Sequence, residues 1–172
     1  MEFVRKAGNL YCEATNLWLQ LASYKLPSPK VKTEAHHPGG GIMELDVPLG
    51  AIDPLTLGYN TKGADPRLLG VPGMSLGQSR LFTIYEELVN ERSGVKLERI
   101  VTMRGVQLEA TPEEMAGRGL KGYEHAIGSI TEYEDVIEGY GIVARFSYWR
   151  NEWQGYGVDL DNRSNQILRI SG

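Results

Sequence analysis

Cysteine is all but missing from this chain: Cys12 is the only one in 172 residues. No intrachain disulfide and no cysteine-based zinc cluster can form within one chain, which fits folding in a reducing cytoplasm. Cys12 itself is expected to be a small buried hydrophobe on a strand and not a reactive thiol. No apolar run approaches the ~18 residues of a membrane helix. Met1-Glu2-Phe3-Val4-Arg5-Lys6 has no apolar h-region, so no secretory signal is expected. Excess positive charge is lacking too: 18 Lys and Arg stand against 22 Asp and Glu, a net charge of −4. A mildly acidic chain is a poor candidate for gripping nucleic acid, which needs a basic face. It does not exclude a surface that DNA passes without sticking. With 41% apolar and 23% charged residues the composition is that of a folded, soluble domain, and one domain over residues 1–172 is expected.

What the chain does have is short β-runs punctuated by turn residues. Its 21 glycines and eight prolines are spread along the length, not pooled in a linker. Residues 17–26 read as a strand stopped by Pro27 and Pro29. Residues 31–34 and 42–47 read as the two sides of a long hairpin arm, with Pro38-Gly39-Gly40-Gly41 in a mobile projecting tip. Residues 55–62 form another candidate strand. Asp65 is placed to cap a short helix over 67–71 with Pro66 at its first position, ended by Pro72-Gly73. Residues 81–91 and 96–109 pair through a turn at Ser93-Gly94, and 127–137 pairs with 142–149 around Glu138-Gly139. Residues 109–122 read as irregular. From Gly155 onward the tail is polar, with an apolar patch at Ile167, Leu168 and Ile170. On 81–91, one phase carries Phe82, Ile84, Glu86 and Leu88, and the other Leu81, Thr83, Tyr85, Glu87, Val89 and Glu91. Neither phase is plainly core or plainly solvent, which points to strands covered by a partner chain.

The search for chemistry is unproductive. His36 and His37 are adjacent, so on an extended chain they point to opposite sides, and Glu34 is the nearest acid. An exposed loop pair is expected there and not a metal site. His125 adjoins Glu124, but no serine or cysteine is read in a nucleophile-elbow context, with Gly-x-Ser-x-Gly read as absent, and the glycines are not read as Gly-x-Gly-x-x-Gly or as a P-loop that would cradle phosphate. The acidic pairs Glu86-Glu87, Glu113-Glu114 and Glu134-Asp135 are expected to be charged surface. No catalytic residue, cofactor or metal is assigned, and no enzyme is expected.

The order of several short motifs is informative. Lys25-Leu26-Pro27, Lys32-Thr33-Glu34 and Gly39-Gly40-Gly41-Ile42 are followed by Tyr59-Asn60-Thr61-Lys62-Gly63. Then come Val101-Thr102-Met103-Arg104-Gly105, Lys121-Gly122-Tyr123-Glu124 and Tyr156-Gly157-Val158-Asp159. In this collinear order the chain resembles the major tail tube proteins of contractile-tailed bacteriophages and of R-type pyocins. The resemblance implies a mainly β fold of two packed antiparallel sheets, sandwich- or barrel-like, with one short α-helix and a long projecting hairpin loop. It implies hexameric rings that stack into a tube whose lumen conducts DNA during ejection. The partners it implies are further copies of the chain and the sheath, tape-measure, baseplate and tail terminator proteins, with no membrane. The location it implies is the virion tail, after assembly in the host bacterial cytoplasm.

On this reading Thr33, Glu34, His36, His37, Pro38, Gly39, Gly40, Gly41, Ile42 and Met43 form the loop between subunits and rings. Acidic lumen candidates are Glu132, Glu134 and Glu138, which share one phase of a strand with Ile130 and Val136 between them, while Tyr133, Asp135 and Ile137 take the other. Two alternatives share the composition: a tube subunit of a tailocin or a type VI secretion-like contractile apparatus, and a small monomeric β-barrel that binds a ligand.

Overall fold

The computed structural model describes residues 3–69, 78–159 and 162–170. Twelve strands and two short helices follow one another along these residues. β1 (Val4–Cys12), β2 (Thr15–Asn16) and β3 (Leu21–Lys25) lead into β4 (Val31–His36) and β5 (Leu45–Ile52). Next come β6 (Leu57–Lys62), α1 (Pro66–Leu69), β7 (Arg80–Val89), β8 (Lys96–Pro112) and β9 (Gly122–Ile137). β10 (Gly141–Ser147), β11 (Glu152–Gly155), β12 (Val158–Asp159) and α2 (Asn162–Leu168) complete the order. Ten strands form one antiparallel ladder, β12-β11-β10-β9-β8-β7-β1-β2, with β6 on β9 and β3 on β6. β4 and β5 form a separate two-stranded sheet.

The expected mainly β fold is present, and its two layers belong to one continuous ladder. The long strand β9 makes this happen. Its first half pairs with β6, from Gly122 opposite Lys62 to Ile127 opposite Leu57. Its second half pairs with β10, with Glu132 opposite Ser147 and Gly141 opposite Ile137. Between the halves, Arg104 faces Glu132 but Val106 faces Gly128, so β9 carries extra residues there. Ser129 takes a left-handed φ of 47° at that point. Such bulges bend and twist a strand sharply, folding the β3-β6 branch over the β1-β7-β8 branch. Close approach follows: a Cβ at Gly122 would lie 1.6 Å from the Thr61 carbonyl oxygen, so only glycine lets β6 pass.

The two layers enclose one apolar cluster. Leu57 and Tyr59 from β6 meet Leu10 and Cys12 from β1, Phe82 and Ile84 from β7, and Val101 and Met103 from β8, all buried. The rings of Tyr59 and Phe82 lie 6.4 Å apart across the layers. Cys12 is buried on β1, as expected from its size. Pro66 opens α1, and the Arg67 N–H donates to Asp65 Oδ1 at 3.0 Å, the cap read from the sequence. The expected helix end, at residues 70–71 and Pro72-Gly73, lies outside the described residues.

Four readings need correction. Residues 17–20 are a turn, not the first half of a strand. Asn16 Oδ1 accepts the Trp18 N–H at 3.1 Å, Leu21 N–H reaches back to the Leu17 carbonyl at 2.8 Å, and Leu17 plugs the core. The β7 phases are not mixed: Phe82, Ile84, Glu86 and Leu88 are all buried, and their neighbours are partly or well exposed. β8 extends to Pro112, leaving only 113–121 irregular. A second helix, α2, occupies the tail.

Candidate assembly interface

The arm is the feature least explained by the chain's own packing. Every residue of β4 is exposed, and β5 is exposed up to Ala51. Glu34 pairs with Val47 and His36 with Leu45, so these four share one face; Thr33 with Pro48 and Ala35 with Asp46 make the other. Gly50, at φ 69°, lets β5 take extra residues between Pro48 and Ile52. At the tip Gly41 N–H donates to the Pro38 carbonyl at 2.9 Å, and Gly40 has φ 84°. Ile42 is fully exposed, Met43 is 78% exposed and Leu45 66%. A lone two-stranded hairpin is marginal in water, and an unpartnered apolar face on one is the mark of a docking element. All ten residues expected for this loop therefore lie on β4 or on its turn. The sequence reading missed the stripe formed by Leu45, Val47 and Leu49 on β5, although alternate apolar residues there were the signal for it.

The acidic candidates divide. Glu132 and Glu134 lie on the outward face of β9, as their phase predicts, while Tyr133 and Asp135 turn inward. Each acid meets an arginine across the ladder: Arg104 to Glu132 and Arg145 to Glu134, both at 3.5 Å. Glu138 sits past the strand end, where its Oε2 accepts the Glu98 N–H at 3.1 Å. Ile130 does not share the outward face. It is buried, because the two extra residues that β9 carries around Ser129 break the regular in–out alternation there.

Two of the acids expected at the surface are buried instead. Glu86 Oε1 accepts the Tyr24 hydroxyl at 2.7 Å and is ion-paired with Arg5, and its Oε2 takes Arg99 Nη1 at 3.0 Å. Asp135 holds Arg99 in a fork, with Nε at 2.9 Å and Nη2 at 2.6 Å. The Asp135 hydrogen bonds raise the Arg99 guanidinium above its ordinary value, and burial together with Glu86 pushes the Tyr24 hydroxyl up to about 12. Two acids and two arginines balance, and five strands (β1, β3, β7, β8, β9) are tied together by this network. In sequence the signal was a charged residue in an otherwise apolar phase.

His125 is buried on β9, stacked on Tyr59 with ring centres 4.5 Å apart. Gln107 Nε2 lies 3.1 Å from the Leu68 carbonyl and 3.0 Å from His125 Nδ1, and Thr61 Oγ1 is 3.2 Å from Nε2. The amide can only donate to Nδ1, which leaves the proton on Nε2 and facing Thr61. Burial lowers the pKa of the imidazole, keeping it neutral. This is a packed core histidine with no nucleophile beside it.

The glycine motifs also need correction, because both spellings occur. Gly73-Met74-Ser75-Leu76-Gly77 matches a nucleophile elbow, which requires a strand before the serine and a helix after it. Here helix α1 precedes it and strand β7 follows, and the motif itself lies outside the described residues. Gly117-Arg118-Gly119-Leu120-Lys121-Gly122 matches a dinucleotide fingerprint, but its last glycine opens strand β9 and not a helix. Among the described residues no group of three His, Cys, Asp or Glu side chains is placed to hold a metal ion.

Comparison with known proteins agrees with this geometry. The chain matches the family of the phage tail tube protein FII over residues 5–144. Among solved structures it resembles a chain of the sheath–tube complex of an extracellular contractile injection system, PVC, in its extended state. The TM-score is 0.50 at 9% identity, with 74% of this chain and 86% of that chain covered, which is a likeness of fold. No curated protein matches in sequence.

Proposed function

Because the chain belongs to the phage tail tube protein FII family, we propose that its copies close into hexameric rings that stack into the inner tube of a contractile tail. DNA passes along the lumen during ejection, the sheath surrounds the tube, and the tape-measure, baseplate and terminator proteins meet it inside and at its ends. The chain acts as a structural part of the virion tail, put together in the host cytoplasm, and performs no catalysis.

The arm is the observation that carries this reading. Its apolar residues gain nothing in a monomer, whereas burying Ile42, Met43 and Leu45 against another copy is worth roughly 4–9 kcal/mol before ordering costs. Contacts of that size, repeated around a ring, favour growth once a first ring exists. Glu132, Glu134 and Glu138 are assigned to the lumen side. Six copies of a chain of net charge −4 carry about −24 per ring, which repels phosphate. Replacing residues 36–43 with a short Gly-Ser turn tests the arm: the subunit should stay folded and fail to stack. Normal tubes from the shortened chain would remove the arm from the interface.

A further inference from the structure

The surface that receives the arm is a separate question, and a second unpartnered patch answers it. In α2, Asn165 is tied to the body: Asn151 Nδ2 donates to Asn165 Oδ1 at 2.6 Å, and Asn165 Nδ2 donates to the Asn151 carbonyl at 2.8 Å. At about 100° per residue, Arg163 and Ile167 lie on the side of the helix away from Asn165. Ile167 is 64% exposed, Leu168 66% and Ile170 41%. Among the described residues Arg163 Nη1 donates sideways to Gln166 Oε1, at 3.5 Å. The adjoining β10–β11 turn adds Tyr148 and Trp149, also well exposed. Residues 162–170 contain Arg163 and Arg169 and no acid, although Asp159 and Asp161 precede them in sequence.

The distal arm has the opposite character. Residues 33–48 contain Glu34, Glu44 and Asp46 and no lysine or arginine, beside the exposed Ile42, Met43, Leu45 and Val47. One chain thus shows an acidic apolar finger and a basic apolar patch. They sit on different branches of the fold: the arm leaves between β3 and β6, and α2 follows β12 at the far edge of the ladder.

We propose that the arm of one copy docks on the α2 patch of the next, with Arg163 and Arg169 facing Glu34 and Glu44 across an apolar centre. This rests on the tube reading and names the receiving surface. Two unlike surfaces that fit each other give a heterologous contact, which closes into a ring within one layer or, between rings, extends the assembly along one direction. Apolar area supplies the attraction, and the charges set direction and choice of partner.

Charge exchange tests it on the full chain. The pairs Glu34→Lys with Glu44→Lys, and Arg163→Glu with Arg169→Glu, are each made alone and then combined. Tube formation is followed by sedimentation and negative stain across a concentration series. Each pair alone should raise the concentration needed for tubes by about tenfold, and the combination should bring it back to within about threefold of wild type. Restoration by the combined reversal also excludes misfolding as the cause of the single defects. Absence of restoration overturns the proposal. So does an α2 reversal that leaves tubes untouched while abolishing attachment of sheath protein, because the helix then serves a different chain. In both of those cases wild-type tubes still form and the tube reading stands. A wild-type chain that never self-associates brings down both.

Discussion

Arg99 offers the sharpest test of how the fold is held. Changing it to Met removes the guanidinium but keeps most of its aliphatic bulk. Glu86 would keep Arg5 and the Tyr24 hydroxyl, whereas Asp135, only 4% exposed, would lose both bonds of its fork and have no cation left. Stripping one partner from a buried ion pair costs about 3–5 kcal/mol, since the remaining charge stays desolvated. That is a large share of the roughly 5–15 kcal/mol that holds a typical domain together. At about 2–4 °C per kcal/mol for a chain of this length, Tm should fall by roughly 6–20 °C. Urea and thermal unfolding followed by circular dichroism would read it. The triple change Arg99→Met, Glu86→Gln, Asp135→Asn should recover most of the loss, because no charge is then buried alone. A single Arg99→Met variant within about 1 kcal/mol of wild type would refute this reasoning and mean that water reaches Asp135.

Acid should weaken the fold through His125. Its folded pKa lies below the unfolded value, so the unfolded chain takes up the proton first, and stability present above about pH 6.5 is lost as the pH falls below it. Unfolding at pH 7.5 and 5.5 should show this loss in wild type and a smaller one in His125→Gln; equal losses would contradict it. Changing Glu132 and Glu134 together to Lys removes two acids and sets new cations beside Arg104 and Arg145. Tubes of nearly normal length that eject DNA more slowly at low salt, and less so at high salt, are expected. Ejection at the wild-type rate in low salt would take this face out of the lumen.

Much of the fold was legible because the chain signals its turns plainly. Asp65-Pro66 and Ser93-Gly94 punctuate it in agreement with the structure, and so does Glu138-Gly139. The arm was legible because Pro38-Gly39-Gly40-Gly41 cannot hold regular structure. Three things were hidden. The break at Leu17 depends on Asn16 closing a turn over a buried leucine, which a run of Leu, Trp and Tyr disguises as a strand. The burial of Glu86 depends on Arg99, 13 residues away in sequence and adjacent only through the β7–β8 register, with Glu86 directly opposite Arg99. The fold-over at Ser129 depends on inserted residues that no period-2 pattern reveals, which is why Ile130 was placed on the wrong face. Glycine was the signal that placed residues 36–43 in a projecting turn, and strand phase was the signal that placed Glu132 and Glu134 on an outward face. The α2 patch went unrecognised as a helix because seven residues carry too little periodicity to read.

Electron cryo-microscopy of the purified full chain, concentrated in a chelator-containing buffer with the tail initiator complex supplied, tests the central claim most directly. The account predicts stacked six-fold rings around an open lumen, with density for residues 33–48 bridging from each subunit to another copy. Monomers at every concentration, with the arm touching no second chain, would contradict it.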